Sequence, residues 1–183
     1  MRAVRYVAVV PASGKSVTNP MDETDRVFMQ IAIEEAARAP LVGEVPIGAV
    51  VVQGDHIISQ AHNYRERWQD PTAHAELIAI RAAAQALGTW RLTGTTLYVT
   101  VEPCSMCIGA IILARIQRIV FGAWDRKAGA CGSVFDLPSE PKLNHRVVVT
   151  SGVLEPECQA LMLKFFKRLR EVQSSEKRQS TPQ

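Results

Sequence analysis

Two short stretches of the sequence hold the side chains that could do chemistry. The stretch "VEPCSMC" places Cys104 and Cys107 three positions apart, and the stretch "PTAHAEL" places His74 two positions before Glu76. A Cys-x-x-Cys pair by itself is compatible with zinc ligation, with thioredoxin-like redox chemistry or with chance. A histidine and a carboxylate this close could be two metal ligands, a proton-transfer pair or neither. The other ligands that the chain can supply decide between these possibilities.

The cysteines favour a catalytic zinc site over a structural one. A structural zinc takes four protein ligands, often from a second Cys-x-x-Cys pair, and the chain has no second pair. A thioredoxin-like motif is expected at the first strand-to-helix turn, whereas this one follows the third predicted strand. The imidazole of His74 and the thiolates of Cys104 and Cys107 give three ligands and leave the fourth tetrahedral position open for water. We therefore predict one zinc ion in each subunit, held by these three residues.

Glu76 is predicted to be the catalytic residue and not a ligand. Residues i and i+2 of a regular helix point to different faces, so Glu76 is poorly placed to bind the metal that His74 binds. It can still lie over the open position, because the metal would sit near the end of the helix. Zinc lowers the pKa of a bound water from about 15.7 to about 7. A carboxylate that moves protons there typically contributes roughly 10²–10⁴-fold to the rate.

The hydrophobic pattern predicts alternating helices and strands that could position these residues. In chain order we expect a helix ending before Pro40, a β-hairpin turning at Gly54-Asp55, a helix in "HAELIAIRAAAQALG", a strand in "GTTLYVTVEP", a helix in "CSMCIGAIILAR", strands in "IQRIVFGA" and "HRVVVTSG", and a closing helix in "PECQALMLKFFKRLR". This alternation predicts an α/β fold with a mainly parallel sheet, which the hairpin makes mixed. Both candidate helix starts then lie at one edge of the sheet, with Thr72 or Asp70 available as a cap for the first.

Length and composition indicate one globular domain. The chain has 183 residues, of which 47% are hydrophobic and 21% charged. Its apolar runs are too short to span a membrane, so we expect no membrane association and a cytoplasmic location. We expect residues 1–20 to be a disordered extension or a misassigned start, residues 21–170 to form the catalytic domain, and residues 171–183 to be a disordered tail. Residues 164–183 carry six basic and two acidic side chains, which suits phosphate contacts or a solvated helix.

The complete pattern, His-x-Glu followed by Pro-Cys-x-x-Cys, resembles the signature of the zinc-dependent nucleoside and nucleobase deaminases. Within these, the chain resembles the bacterial tRNA-specific adenosine deaminases from about Met21 to Arg170. The stretches that carry this resemblance are "EVPIGAVVV", "HNYRERWQDPTAHAE", "TLYVTVEPCSMCIGAI", "RIVFGAWDRKAGACGS", "NHRVVV" and "KFFKRLR". The resemblance implies a cytidine-deaminase-like three-layer α/β/α sandwich with a mixed five-stranded sheet. It also implies a homodimer that converts adenosine to inosine at the wobble position of a tRNA anticodon stem-loop.

The same resemblance implies residues that contact the RNA. Asn63 would hydrogen-bond the target nucleotide, and Ile47 and Val101 would wall the base pocket together with Ala75. The residues expected to contact the flanking nucleotides or the anticodon loop are Asp125, Lys127, Asn144, His145, Phe166, Lys167 and Arg168. Trp124 departs from the family pattern, because relatives tend to carry a polar residue there. The resemblance therefore defines the reaction better than it defines the individual substrate contacts.

Two other functions are compatible with the motifs. One is a deaminase of a free nucleoside or nucleobase, of the cytidine or guanine type, which would not need the basic final helix. The other is a non-catalytic, zinc-stapled RNA-binding protein. Glu76 argues against the second, since a structural zinc needs no proton shuttle.

Overall fold

The structure, a computed structural model, describes the backbone of residues 23–179 and the side chains of residues 23–175. The extension expected over residues 1–20 lies outside this range. The elements in chain order are α1 (Glu23–Ala36), a 3₁₀ helix (Ala39–Val42), β1 (Gly48–Gln53), β2 (His56–His62), α2 (Arg65–Trp68), α3 (Ala75–Leu87), β3 (Thr95–Val101), α4 (Ser105–Leu113), β4 (Arg118–Ala123), β5 (Val148–Ser151) and α5 (Glu155–Gln179).

The five strands form one mixed sheet in the order β2-β1-β3-β4-β5. Strand β1 pairs antiparallel with both β2 and β3, whereas β3, β4 and β5 pair in parallel. The predicted mixed five-stranded sheet is therefore confirmed, with its parallel part confined to three strands. Because β2 and β3 are both antiparallel to β1, they run in the same direction. The segments that leave their carboxyl ends consequently emerge at the same edge of the sheet.

Helices cover both faces of the sheet and make the expected three layers. On one face, α3 and α4 pack over a core built mainly from alanine, valine and isoleucine. On the other face, α1 and α5 pack over a smaller cluster that includes Phe28, Met29 and Tyr98. Gly48 allows the close approach of α1, since a Cβ at this position would lie 2.1 Å from the carbonyl oxygen of Ala32.

A buried ion pair also fixes α1 to the sheet. The guanidinium of Arg118 on β4 donates two hydrogen bonds to the carboxylate of Asp25, at 2.8 and 2.6 Å. The hydroxyl of Tyr98 donates a third, at 2.9 Å. Asp25 is fully buried, so these donors replace the water that its charge loses on folding.

Three features differ from the sequence-based expectations. The 3₁₀ helix and the short α2 were not predicted. The last helix continues to Gln179, past the expected start of a disordered tail at residue 171. Glu, Gln, Lys and Arg, which favour helix, make up most of residues 171–179, and no glycine or proline interrupts them before Pro182.

Candidate zinc and active site

The sheet topology brings two helix starts together. His74 immediately precedes α3, and Cys104 immediately precedes α4. Both residues have extended backbone, with ψ angles of 150° and 173°, and hydrogen bonds with Cys107 hold the Cys104 thiol beside the first turn of α4. Since the strands before the two helices run in the same direction, the two side chains meet at the same edge of the sheet.

The three predicted ligands form a compact group. The Nδ1 atom of His74 lies 3.8 Å from Sγ of Cys104 and 3.6 Å from Sγ of Cys107. Their ligand atoms all lie within 4.8 Å of one another. For tetrahedral zinc, with bonds of about 2.3 Å to sulfur and about 2.0 Å to nitrogen, the nitrogen and sulfur atoms should be about 3.6 Å apart. The donor set and its spacing therefore fit a zinc ion bound through Nδ1 of the histidine.

The surroundings of Cys104 favour its thiolate form. A hydrogen bond from the Cys107 thiol is the main reason that the pKa of Cys104 is lowered to about 4, and His74 acts in the same direction. The pKa of Cys107 is raised because its thiol is the donor to Cys104 and is also buried. The pKa of His74 is raised chiefly by its hydrogen bond with Cys104. The two cysteines therefore favour different forms, the thiolate at Cys104 and the thiol at Cys107.

Glu76 lies in the first turn of α3 and is 4% exposed. Burial raises the pKa of its carboxyl group above the ordinary value, whereas the nearby His74 lowers it. Its side chain interacts with the thiol of Cys107. Among residues 23–175, its Oε2 atom has no hydrogen-bond partner. A buried polar atom without a partner is costly, so this oxygen is suited to a ligand placed beside the three metal-binding side chains.

Asn63 holds the start of α3. Its Oδ1 atom accepts a hydrogen bond of 2.9 Å from the backbone N–H of Ala75, and the residue is 5% exposed. The expectation that Thr72 or Asp70 caps this helix is wrong, because Asp70 instead accepts the backbone N–H and the hydroxyl of Thr72 in the preceding turn.

Two of the three residues expected to wall the base pocket contact Asn63. Ala75 is fully buried and donates its backbone N–H to Asn63. Ile47 is half-buried against the same core as Ala75, and its carbonyl oxygen accepts the backbone N–H of Asn63 at 3.2 Å. Val101 is buried at the end of β3.

Glu102 is a residue whose importance the sequence analysis missed. It is 3% exposed, and its Oε1 accepts the backbone N–H groups of Cys131 and Ser133 at 2.9 and 3.1 Å. Its Oε2 accepts the N–H of Asp125 at 3.0 Å. The loop of residues 124–133 is thus tied to the segment that carries Cys104. An acidic residue between an apolar strand and Pro103 was the available signal.

The outer residues expected to contact RNA are spread over three regions. Asp125 accepts the backbone N–H of Lys127 at 2.9 Å, in the loop tied to Glu102. The exposed Asn144 accepts a hydrogen bond of 2.7 Å from Arg115, and Nε2 of His145 lies 2.7 Å from the carbonyl oxygen of Ile116. Phe166, Lys167 and Arg168 are exposed on α5. Since α5 packs on the face of the sheet opposite α3 and α4, the structure does not bring these three residues to the His-Cys-Cys group within the described part of one subunit.

Comparison with known proteins decides the family. Residues 22–123 match the family described as the cytidine and deoxycytidylate deaminase zinc-binding region. The chain is 52% identical over 146 residues to the tRNA-specific adenosine deaminase of Bacillus subtilis (strain 168), covering 80% of this chain and 91% of that protein. It belongs to the tRNA-specific adenosine deaminase family. The corresponding protein of Aquifex aeolicus (strain VF5) is 50% identical over 143 residues, covering 78% of this chain and 94% of the relative.

Solved structures agree with membership of the tRNA-specific adenosine deaminase family. One, from a study of A-to-I editing by tRNA:A34 deaminases at the wobble position of transfer RNA, has a TM-score of 0.71 and 45% identity. It covers 74% of this chain and 98% of its own. The guanine deaminase of Bacillus subtilis has a TM-score of 0.54 and 34% identity, covering 67% of this chain and 81% of its own. The predicted resemblance and fold are thus confirmed. Among the described residues, no helix combines the length and apolar character needed to cross a bilayer.

Proposed function

We propose that this protein hydrolytically deaminates adenosine to inosine at the wobble position of a tRNA anticodon stem-loop. The observation that supports this most directly is the buried Glu76 carboxylate beside the His-Cys-Cys group, in a chain whose relatives are named for this activity. The arrangement would supply a metal site and a proton-transfer group at the same edge of the sheet. A non-catalytic zinc protein would gain nothing from a buried carboxylate with an unpaired oxygen.

One zinc ion in each subunit would be held by Nδ1 of His74 and the thiolates of Cys104 and Cys107. When bound, zinc makes a coordinated water nucleophilic near neutral pH. The fold favours zinc binding at Cys104, because the lowered pKa of this residue makes the thiolate, the form that binds metal, the main one at neutral pH.

Glu76 would move protons during the reaction. Its burial favours the protonated carboxyl group, so a proton taken from the attacking water can be held there without a large energetic cost. The same group would then deliver that proton to N1 of adenine. It would next take the second proton of the water from the hydroxyl group formed at C6 and pass it to the departing amine, which leaves as ammonia. The unpaired Oε2 is the atom that is free to do this.

The target base would sit against Ala75, Val101 and Ile47. Asn63 would donate from its amide nitrogen to the target nucleotide, while its Oδ1 stays bonded to α3. Because the hydrogen bond to Ala75 fixes the orientation of this amide, its donor group is aimed before the RNA binds. Anticodon loops suit such a pocket because their unstacked bases can be turned out and read edge-on.

The wider RNA contacts would come from Asp125, Lys127, Asn144, His145 and the segment 166–168 of α5. We also propose that the protein acts as a homodimer in the cytoplasm. Large apolar side chains on α4 and the loop before β5 are exposed in the single subunit and could be covered by a second copy; they are Leu113, Val134, Phe135 and Leu143. A dimer would also allow α5 of one subunit to reach RNA bound at the other.

The test is mass-spectrometric detection of inosine after incubation of the zinc-loaded protein with an anticodon stem-loop bearing adenosine at the wobble position. Free adenosine, cytidine and guanine are incubated in parallel. Inosine in the stem-loop alone supports the proposal. The structural likeness to a guanine deaminase makes free-base deamination the second candidate, and turnover of guanine with the stem-loop unchanged would favour it.

A Glu76→Gln variant separates catalysis from binding in the same experiment. It should keep its zinc content and its affinity for the stem-loop and lose at least roughly 10²-fold in rate. A variant that edits at the native rate would contradict the role of Glu76.

A further inference from the structure

Three aromatic rings form a continuous stack that runs from the core to the surface. The rings of His62 and Tyr64 lie 4.7 Å apart at an interplanar angle of 29°. The rings of Tyr64 and Trp68 lie 4.6 Å apart at 17°. His62 is buried at the inner end, whereas Trp68 is 48% exposed at the outer end. Since Tyr64 covers one face of the Trp68 ring, this exposure leaves the opposite face open to solvent.

Buried carboxylates hold the stack in place. Nδ1 of His62 lies 2.7 Å from Oε1 of Glu35, on α1. Oε1 of Glu44 accepts the backbone N–H of Arg67, inside α2, at 2.8 Å. Both glutamates are buried, so the inner ring and the helix that carries the outer ring are each anchored to the interior. The exposed tryptophan therefore stands on an anchored helix, with one face of its ring stacked on Tyr64.

The stack is adjacent to the candidate active site. The backbone N–H of Tyr64 donates to the carbonyl oxygen of Ala73 at 3.0 Å, one residue before His74. Asn63, which precedes Tyr64, holds the start of α3. Arg65 follows Tyr64 at the start of α2, where its guanidinium donates to the exposed carboxylate of Glu66 at 3.0 Å. A positive side chain and a flat aromatic surface thus lie together beside the site where the target nucleotide would bind.

We propose that the open face of Trp68 stacks a nucleobase next to the target adenosine, with Arg65 at the adjoining phosphate. This inference rests on the proposed function, because the nucleobase belongs to the RNA that carries the target. Proteins that bind single-stranded RNA combine aromatic stacking surfaces with basic side chains. Turning the target base out of the anticodon loop breaks its stacking with a neighbour, and Trp68 would replace that lost partner.

Trp90 provides a matched control within the same chain. It is 54% exposed, and the guanidinium of the adjacent Arg91 lies 4.0 Å from the centre of its ring. It follows the C-terminal end of α3, whereas the site lies at the N-terminal end. The 13 residues of α3 separate the two by about 20 Å. Trp90→Ala therefore removes an exposed tryptophan beside an arginine without touching the proposed platform.

The experiment compares native protein, Trp68→Ala, Trp68→Phe and Trp90→Ala, all zinc-loaded. Each is assayed for stem-loop editing under single-turnover conditions, and affinity is measured with a fluorescent stem-loop. Trp68→Ala should weaken affinity by roughly 5- to 160-fold, the range that loss of one base–aromatic stack produces. Trp68→Phe should recover part of the loss, and Trp90→Ala should bind as the native protein does. The rate at saturating protein should change much less than the affinity.

A second readout identifies the stacked base. Stem-loops carrying 2-aminopurine at the nucleotide on either side of the target are bound to each variant, and the fluorescence of the analogue is measured. One of the two positions should be quenched by native protein and not by Trp68→Ala. Equal affinity and equal quenching for Trp68→Ala and the native protein would overturn the proposal.

The oligomeric state and the native activity separate the remaining outcomes. If Trp68→Ala dissociates a native dimer, with affinity loss explained by that dissociation, Trp68 is a protein interface residue and the proposal is wrong. If the native protein edits no stem-loop, the proposed function fails and the platform fails with it. If the native protein edits but the two alanine variants behave alike, only the platform fails.

Discussion

Replacing Glu102 with Gln should destabilise the protein and loosen the loop beside the metal site. The carboxylate accepts three backbone N–H groups from the loop of residues 124–133. A Gln side chain has one acceptor oxygen, which can keep the two bonds made by Oε1. Its NH₂ group would then face the N–H of Asp125, so a partly buried donor loses its acceptor.

The size of the effect follows from these contacts. A hydrogen bond to a charged group contributes about 1.5–3 kcal/mol, and an unsatisfied buried donor costs about 1–3 kcal/mol. Because the two quantities describe the same lost interaction, they are not added, and we expect the free energy of unfolding to fall by about 1–3 kcal/mol. For a domain of this size, that corresponds to a melting temperature lower by about 2–12 °C. The loop also pairs with Cys104 through an isolated bridge at Gly129, so zinc affinity should fall as well.

The assay is urea unfolding of native and variant protein at the same free zinc concentration, since bound metal adds to apparent stability. Glu140→Gln is the matched control, because Glu140 also accepts a backbone N–H, at 3.0 Å from Lys142, but lies in a more exposed position. We expect the control to change stability by less than about 0.5 kcal/mol. If Glu102→Gln behaves like the control, its carboxylate does not hold the loop and the reasoning is refuted.

Three further predictions test other parts of the structure. After metal removal, Cys104 should react with iodoacetamide at pH 8 far faster than Cys131 and Cys158. The reason is that the pKa of Cys104 is lowered to about 4, whereas burial raises the pKa values of the other two to about 12. Peptide mass mapping should show that labelling of Cys131 and Cys158 rises about tenfold per pH unit below pH 12. Asn63→Ala should cost about 1–2 kcal/mol of stability by removing the acceptor at the start of α3, whereas Asn63→Asp should largely keep stability in urea unfolding yet still lower kcat/KM for the stem-loop. Arg118→Met should cost about 3–5 kcal/mol in the same assay, since it strands a buried carboxylate on α1.

The residues that sequence reasoning predicted for the site belong to short motifs that are typical of one kind of chemistry. His74, Cys104 and Cys107 have side chains that few roles other than metal binding would bring together, and the spacing within the Cys-x-x-Cys motif is local. The hairpin at Gly54-Asp55 was predictable for a similar reason, because its turn lies between two β-branched runs. In each case the residues that interact are close in the sequence or share an unusual chemistry.

The contacts that sequence reasoning missed join residues far apart along the chain. Glu102 binds backbone N–H groups 23 to 31 positions away, and backbone donors have no sequence signature. Asn63 caps a helix that starts 12 positions later, where the nearer Thr72 and Asp70 were the obvious candidates. The aromatic stack requires that α2 exist, and a four-residue helix is too short to leave a periodic pattern.

The sheet order explains why a buried site can hold so much negative charge. With β1 between them, β2 and β3 place the N-terminal ends of α3 and α4 side by side, and each end acts as about half a positive charge. In the proposed zinc-loaded site, two thiolates and Glu76 would contribute three negative charges, and zinc and the two helix ends would together contribute about three positive ones. Without the ion, the fold can keep only part of that negative charge. In the metal-free site the pKa of Cys104 is lowered, so this residue carries a negative charge, whereas the raised pKa values of Cys107 and Glu76 favour their neutral forms. The fold therefore leaves the site short of positive charge by about the amount that one divalent metal ion would supply.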